Sequence, residues 1–282
     1  MVATALRLLR CEPEMFLRRC VQKLLPMPRR HLRIHIGDVS FDCNLPEEFE
    51  AFGMAKSMRF RTFSSDIVAV MKRFLRHGDV FIDVGANVGY LSAVGMSVVG
   101  RTGEVHSFEP VPKYYEHLRK LPVDNPQFKI ICNNLAASDL TGVADIVVSS
   151  HNPGWNTMVP TFMDQADIMQ VVTVSTICLD SYIEHPVHPR KVTLIKIDTE
   201  SFELPVLRGL SKYFDSGERP IIVCEVAPKA YALLGYKVSD LSSYMKHYGY
   251  VPHGIRPRGG RFLVADLSSI QRTTDFVWLP HD

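Results

Sequence analysis

The chain has 282 residues, with 46% hydrophobic and 22% charged residues, a composition that builds a core and excludes a disordered tail, a collagen-like fibre or a coiled-coil rod. Thirty-two basic residues against thirty acidic ones give a net charge of +2, so no global attraction to nucleic acid is expected. The imbalance is local: residues 1–35 carry Arg7, Arg10, Arg18, Arg19, Lys23, Arg29, Arg30 and Arg33 against only Glu12 and Glu14.

Residues 14–25 place Leu17, Val21, Leu24 and Leu25 on one helical face, and Pro26 ends the pattern. A helix packed on the main domain explains that face, and so does a basic amphipathic helix resting on an anionic membrane. Residues 32–45 alternate around Gly37-Asp38 and predict a short hairpin. The first 60 residues are thus expected to form a helix-and-hairpin extension, with one large domain over 61–282. Residues 65–76 carry Ile67, Val70, Met71, Phe74 and Leu75 at helical spacing behind a Ser64 or Ser65 cap.

From Val80 the rhythm changes. Apolar runs at Val80–Val84, Val105–Phe108, Phe128–Cys132, Val192–Ile197 and Ile221–Val226 suit strands buried on both faces of a sheet. Helical patterns separate them at Tyr90–Val99, Lys113–Leu121, Glu203–Phe214 and Ser239–Tyr248. The alternation predicts an α/β, doubly wound, mostly parallel sheet. Residues 140–180 interrupt it with two strand patterns around a polar stretch, His151–Thr157, which reads as a β insertion on the substrate side. The six cysteines show neither C-x-x-C pairs nor zinc spacing, which points to a reduced, cytoplasmic protein. No run reaches the ~18 apolar residues of a membrane span.

The chemistry concentrates in Asp83-Val84-Gly85-Ala86-Asn87-Val88-Gly89, a buried strand that ends in an acid and runs through a glycine loop into a helix. Gly85 permits a tight turn, and Gly89 is expected to let the backbone approach a ligand. A second buried strand ends at Glu109-Pro110, where a carboxylate accepts the hydroxyls of a bound ribose. A dinucleotide would ask for G-x-G-x-x-G and a pyrophosphate, which Asp83 would repel; a methionine ammonium it would attract. S-adenosyl-L-methionine therefore fits better than NAD. Ala137 and Asp139, after the third strand, are candidates for the adenine edge. Further on, Lys196 and Asp198 face one side of their strand, with Glu200 and Glu203 following in the loop and first helical turn. A salt-bridged structural cluster is the competing account of these four. Asp198, Glu200 and Glu225 also offer hard oxygen donors, but no spacing rule decides for a divalent metal.

Taken in order, DVGANVG (Asp83–Gly89), FEP (Phe108–Pro110), NLAASD (Asn134–Asp139), CLDSYI (Cys178–Ile183) and KIDTESFE (Lys196–Glu203) give the chain a resemblance to the FkbM family of S-adenosylmethionine-dependent methyltransferases. The resemblance covers about His77 to Pro228 and implies a class I methyltransferase fold and methylation of hydroxyl oxygens, on sugars or on polyketide products. It maps Asp83, Gly85 and Glu109 onto cofactor positions, and Asp198 with Glu200 onto the acidic catalytic region. Asn87, Gly89, Pro110, Ala137 and Asp139 complete the expected cofactor site. Ser201 departs from the family's K-I-D-x-E-G-x-E, in which a glycine stands at that place. Glu200 is the first candidate base, with Asp198 as rival, Lys196 orienting one of them, and His151 within reach from the insertion. A nitrogen methyltransferase is disfavoured because no N-P-P-Y-like tetrapeptide follows a strand. An oxidoreductase is disfavoured by Asp83, and a non-catalytic cofactor module by the acidic cluster. The expected partner is a small-molecule or glycan acceptor, with membrane contact through the basic helix as a further reading.

Overall fold

The computed structural model describes residues 17–18, 20–21, 33–47, 49, 53–150, 152–159, 167–187, 190–256 and 261–281. Most of the expected N-terminal basic helix, and His151, lie outside these. Among the described residues no helix is long and apolar enough to cross a membrane.

Twelve strands are described, in three sheets. β1 (Arg33–Ile36) and β2 (Val39–Asp42) form the expected hairpin, turning at Gly37 with φ 60°. Helices α1 (Met54–Arg59) and α2 (Ser65–Phe74) follow. The main sheet is built from β3 (Val80–Val84), β4 (Glu104–Phe108), β5 (Lys129–Asn133), β9 (Leu194–Ile197), β10 (Ile221–Val226), β11 (Tyr250–Gly254) and β12 (Thr274–Pro280). Their spatial order is β11-β12-β10-β9-β3-β4-β5. The five strands from β10 to β5 are parallel, and β12 runs antiparallel between β10 and β11. The winding therefore reverses between β3 and β9, and such a reversal opens a crevice beyond the carboxyl ends of those strands.

The expected strands hold their places because each is apolar on both faces; β3 and β9 are buried at every residue. Between β3 and β4, helix α3 (Tyr90–Val99) is apolar nearly all round. It is enclosed by the sheet on one side and by Val39 and Phe41 of the hairpin on the other, within one continuous core. The sequence pattern Lys113–Leu121 resolves into α4 (Pro112–Leu118) and α5 (Leu121–Asp124). The 140–180 interruption is a small separate sheet of β6 (Ala136–Ser138), β7 (Gly142–Ser149) and β8 (Ile168–Cys178), in the order β6-β8-β7. A short α6 (Leu179–Tyr182) leads back to β9.

The single helix expected over Glu203–Phe214 is two, α7 (Glu203–Arg208) and α8 (Ser211–Asp215). They part at Gly209, where a Cβ would stand 2.2 Å from the Ser138 carbonyl oxygen of β6, so only glycine lets these elements touch. Helices α9 (Pro228–Leu233) and α10 (Val238–His247) lie between β10 and β11. Ser239, which opens the sequence pattern, lies inside α10, and Asp240 accepts the Lys237 amide at 2.7 Å.

Candidate active site

The glycine loop forms where β3 reaches the crevice. Gly85 has φ 74°, and a Cβ there would lie 1.9 Å from the Asp198 carbonyl oxygen. The loop after β3 and the loop after β9 are therefore in backbone contact, which only glycine allows. The Gly85 and Ala86 amides both donate to the Phe108 carbonyl, at 3.0 and 2.9 Å, tying the loop to β4. Gly89, at φ 87°, starts α3, and a Cβ on it would press on Leu118 and Leu121 at 2.8 and 2.9 Å. The positive φ is what asks for glycine here, and Gly89 is not among the residues that line the cleft.

Asp83 is also repositioned. It is wholly buried, outside the cleft lining: Oδ2 accepts the Ser92 hydroxyl at 2.6 Å, and Oδ1 faces the Lys196 ammonium at 3.3 Å. A charge in that position cannot reach a methionine ammonium; it neutralises Lys196 instead. Lys196 donates to the Gly85 carbonyl at 2.8 Å and the Val84 carbonyl at 3.3 Å, and its ammonium stands 3.5 Å from Asp198 Oδ2. Burial works against the lysine's charge, but Asp198 and Asp83 outweigh it and hold Lys196 above its ordinary value.

The cleft is lined by Gly85, Asn87, Glu109, Pro110 and Ala137 on the expected cofactor side, and by Lys196, Asp198 and Glu200 on the other. Glu109 takes the Asn87 amide on Oε2 and the Val111 amide on Oε1, both at 2.8 Å. Burial raises its carboxyl to about 7, against the pull of these hydrogen bonds and of Lys196. Asn134 braces the same corner by donating to the Glu109 and Pro110 carbonyls at 2.9 and 3.0 Å. Asp139 is not part of the lining; it accepts the Ser138 hydroxyl at 3.1 Å beyond the end of β6, because the chain there has turned into the small sheet.

At the end of β9 the carboxylates converge. Oxygens of Asp198, Glu200 and Glu225 lie within 4.8 Å of one another, a set that could hold a hard divalent cation or share protons. Burial first, then the charges of Asp198 and Glu203, lift Glu200 to about 9; burial, then Asp198 and Glu200, lift Glu225 to about 11. Both shifts favour the protonated carboxyl, which weakens Glu200 as the ionised base that the sequence suggested. Asp275, opposite Glu225 in the β10–β12 register, is lifted to about 7 by burial and Asp198. Sequence reasoning missed Asp275, since a lone acid in a strand is no signal.

Glu203 is structural. Fully buried, it accepts the amides of Thr199 and Ser201 and the Thr199 hydroxyl on Oε1 at 3.0–3.1 Å, and the Tyr231 hydroxyl on Oε2 at 3.0 Å. It thereby fixes a turn in which Glu200 and Ser201 both have positive φ, 51° and 92°. The polar insertion closes over this turn. Thr157 donates to the Glu200 carbonyl at 2.6 Å, and the Asn87 side chain donates to the Pro153 carbonyl at 2.9 Å. Gly154, Asn156 and Met158 line the cleft as a result, while Trp155 is half-exposed beside it. The role sketched for His151 rests on a position outside the described residues.

The reversed β12 between β10 and β11, together with a glycine loop and an acid at the ends of β3 and β4, defines the class I S-adenosylmethionine-dependent methyltransferase fold. The glycine loop, the Glu109 carboxylate and the cleft between them suit an adenosyl ligand. A family model, the methyltransferase FkbM domain, matches residues 83–252. The chain belongs to that family, and the domain's methyl donor is S-adenosylmethionine. A protein-L-isoaspartate O-methyltransferase of Methanococcus aeolicus is 32% identical over 85 residues, which span 28% of this chain and 38% of that protein's length. Among solved structures, the fibrillarin of Aeropyrum pernix with natively bound S-adenosyl-L-methionine covers 76% of this chain and 73% of its own at 11% identity and a TM-score of 0.42. A SAM-dependent methyltransferase of Aquifex aeolicus covers 79% and 96% at 11% identity and 0.40.

Proposed function

We propose that this chain is an O-methyltransferase acting on a sugar hydroxyl, in a glycan, a glycolipid or a glycosylated natural product. The observation that carries this reading is the pair Asp198 and Glu200 in the cleft wall, beside the glycine loop, with Lys196 next to Asp198. S-adenosylmethionine supplies a methyl group activated on a sulfonium for in-line displacement. The protein has to align an acceptor oxygen and take its proton. We assign proton acceptance to Asp198 and hydrogen bonding of the acceptor to the protonated Glu200, with Lys196 as the residue that orients Asp198. A carboxylate acceptor would meet like charge at Asp198, and an amide or base nitrogen lacks its usual tetrapeptide. A polyketide hydroxyl would use the same groups, and an acceptor panel separates it from a sugar. The reduced-thiol pattern supports a cytoplasmic site of action, and the balanced charge supports an acceptor other than nucleic acid.

The test is transfer of labelled methyl from S-adenosylmethionine to glycosides and to polyketide alcohols. Asp198→Asn should lower turnover by about 10²–10⁴ and leave S-adenosylhomocysteine affinity near wild type; Glu200→Gln should cost less. The opposite ordering moves the base to Glu200, and full turnover in both variants removes the pair from catalysis. Reversible loss on chelation would assign Asp198, Glu200 and Glu225 to a metal.

A further inference from the structure

We propose that one wall of the cleft, built by α1 and the turn after it together with the β insertion, binds an apolar group carried by the acceptor, so that the sugar arrives as the glycoside of an apolar aglycone. The proposal rests on the sugar O-methylation reading above and adds to it the class of aglycone. Met54, Phe63, Ile146 and Met158 line the same cleft as Glu109, Asp198 and Glu200. Met54, Phe63 and Met158 are half-buried and leave apolar surface open to the cleft, and they pack on a core that includes Phe49 and Met58. This wall reaches the reacting groups. A Cβ on Gly154 would stand 3.7 Å from Met54 Cε and 3.7 Å from Glu200 Oε1. The methionine methyl and the carboxyl therefore flank one point, and an acceptor hydroxyl held by Glu200 has apolar surface next to it.

The chemistry of the wall selects the occupant. Among the described residues, α1, the turn after it and the insertion bring no charged side chain to the cleft; its carboxyl groups come from the ends of β4 and β9. Sugar hydroxyls set against two thioethers and a phenyl ring would find no strong hydrogen-bond partner there. An alkyl chain or an aromatic ring instead leaves water when it is covered, and its affinity grows with the area buried. Methionine suits such a wall because its flexible thioether adapts to the shape it meets. The wall also stands ready before the acceptor arrives. Arg59 donates to the Cys43 carbonyl at 2.8 Å, Phe63 meets the Tyr90 ring edge to face at 5.7 Å, and Thr157 holds the Glu200 carbonyl. Binding there needs little ordering of the protein. The Glu109, Pro110 and Ala137 side of the cleft is left to the adenosyl group.

The experiment is an NMR titration of the full chain saturated with S-adenosylhomocysteine, using the methyl, hexyl and phenyl forms of glucoside, mannoside and rhamnoside. In at least one sugar series the hexyl or the phenyl form should bind about tenfold or more tighter than the methyl form, and which of the two gains more tells a chain from a ring. Met54→Gln should cut that advantage about threefold or more, with S-adenosylhomocysteine affinity near wild type. Met158→Gln gives the same reading from the insertion if Met54→Gln lowers the melting temperature. Absence of binding by every hexyl and phenyl glycoside, equal affinity of the three forms, or indifference to both glutamines overturns the proposal. So does a loss of S-adenosylhomocysteine affinity in both variants, which would give the wall to the cofactor. Labelled methyl transfer keeps the two readings apart. Hexyl or phenyl glycosides that bind through Met54 but receive no methyl group count against sugar O-methylation alone, and transfer that runs equally well on the methyl forms counts against the apolar wall alone.

Discussion

Replacing Ser201 by glycine should stabilise the protein. Ser201 is 1% exposed, has φ 92°, and its hydroxyl is buried without a hydrogen-bond partner among the described residues. A non-glycine residue in that backbone region costs about 1–2 kcal/mol, and an unsatisfied buried hydroxyl about 1–3 kcal/mol. Against this, glycine adds about 0.5–1 kcal/mol of chain entropy to the unfolded state. The net is about 1–4 kcal/mol in favour of Ser201→Gly. The turn itself should persist, because the Ser201 amide still donates to Glu203 and its carbonyl still accepts the Tyr236 hydroxyl. Urea unfolding of both proteins is the measurement: the midpoint should rise at constant slope. An unchanged or lower midpoint would mean that the serine side chain makes a compensating interaction and that the turn is not strained.

Three further outcomes are expected. Glu109→Ala should weaken S-adenosylhomocysteine binding about 10- to 100-fold by calorimetry, since each charge-assisted contact is worth roughly 1.5–3 kcal/mol and the Asn87 amide loses its partner; an equal dissociation constant would take Glu109 out of the site. Lys196→Met should destabilise by about 3–5 kcal/mol because it leaves Asp83 buried without a counter-charge, and adding Asp83→Asn should recover much of that loss; strictly additive losses in denaturant would deny the coupling. The ligand-free protein should lose stability as pH rises from about 4.5 to about 9, because Glu109, Asp275 and Glu200 have carboxyls raised to about 7, 7 and 9 when folded and ionise earlier when unfolded. Melting temperatures across that window should fall more steeply for wild type than for Glu200→Gln, and parallel curves would show that Glu200 is not protonated in the folded state.

The parallel strands were legible because burial on both faces writes a run of Val and Ile that no loop imitates. The glycine loop and the acids at the strand ends were legible because they sit at fixed distances along the chain. Direction was harder to read. Asp83 and Glu109 each stand at or just beyond the end of a buried strand, but Asp83 faces α3 and Lys196, and only Glu109 opens onto the cleft. Nothing in the local sequence separates them; Ser92, the hydroxyl that holds Asp83, is nine residues away on the next helix. Asp275 was invisible for a different reason, since its meaning comes from an antiparallel neighbour about fifty residues earlier. Gly89 shows the same limit: its positive φ was foreseeable, but the leucines whose methyl ends crowd it belong to α4 and α5.

The buried Asp83–Lys196 pair explains how an acidic cleft can exist at all. Four carboxyl groups gathered at the ends of β9, β10 and β12 would repel one another and draw in water if each were ionised. Burial favours protons on Glu200 and Glu225, which lowers that charge, and the Lys196 ammonium beside Asp198 lowers it further. A lysine so deeply enclosed would lose its own proton without a counter-ion, and Asp83 is that counter-ion, set one strand away in the β3–β9 ladder. The same ammonium grips the Val84 and Gly85 carbonyls, so the charge that tempers the acids also fixes the glycine loop. Cofactor loop and acidic cluster are therefore one electrostatic unit. Loss of the Lys196 ammonium should be felt on both sides, and this is why the acid of the glycine-loop motif is needed here although it never reaches the cleft.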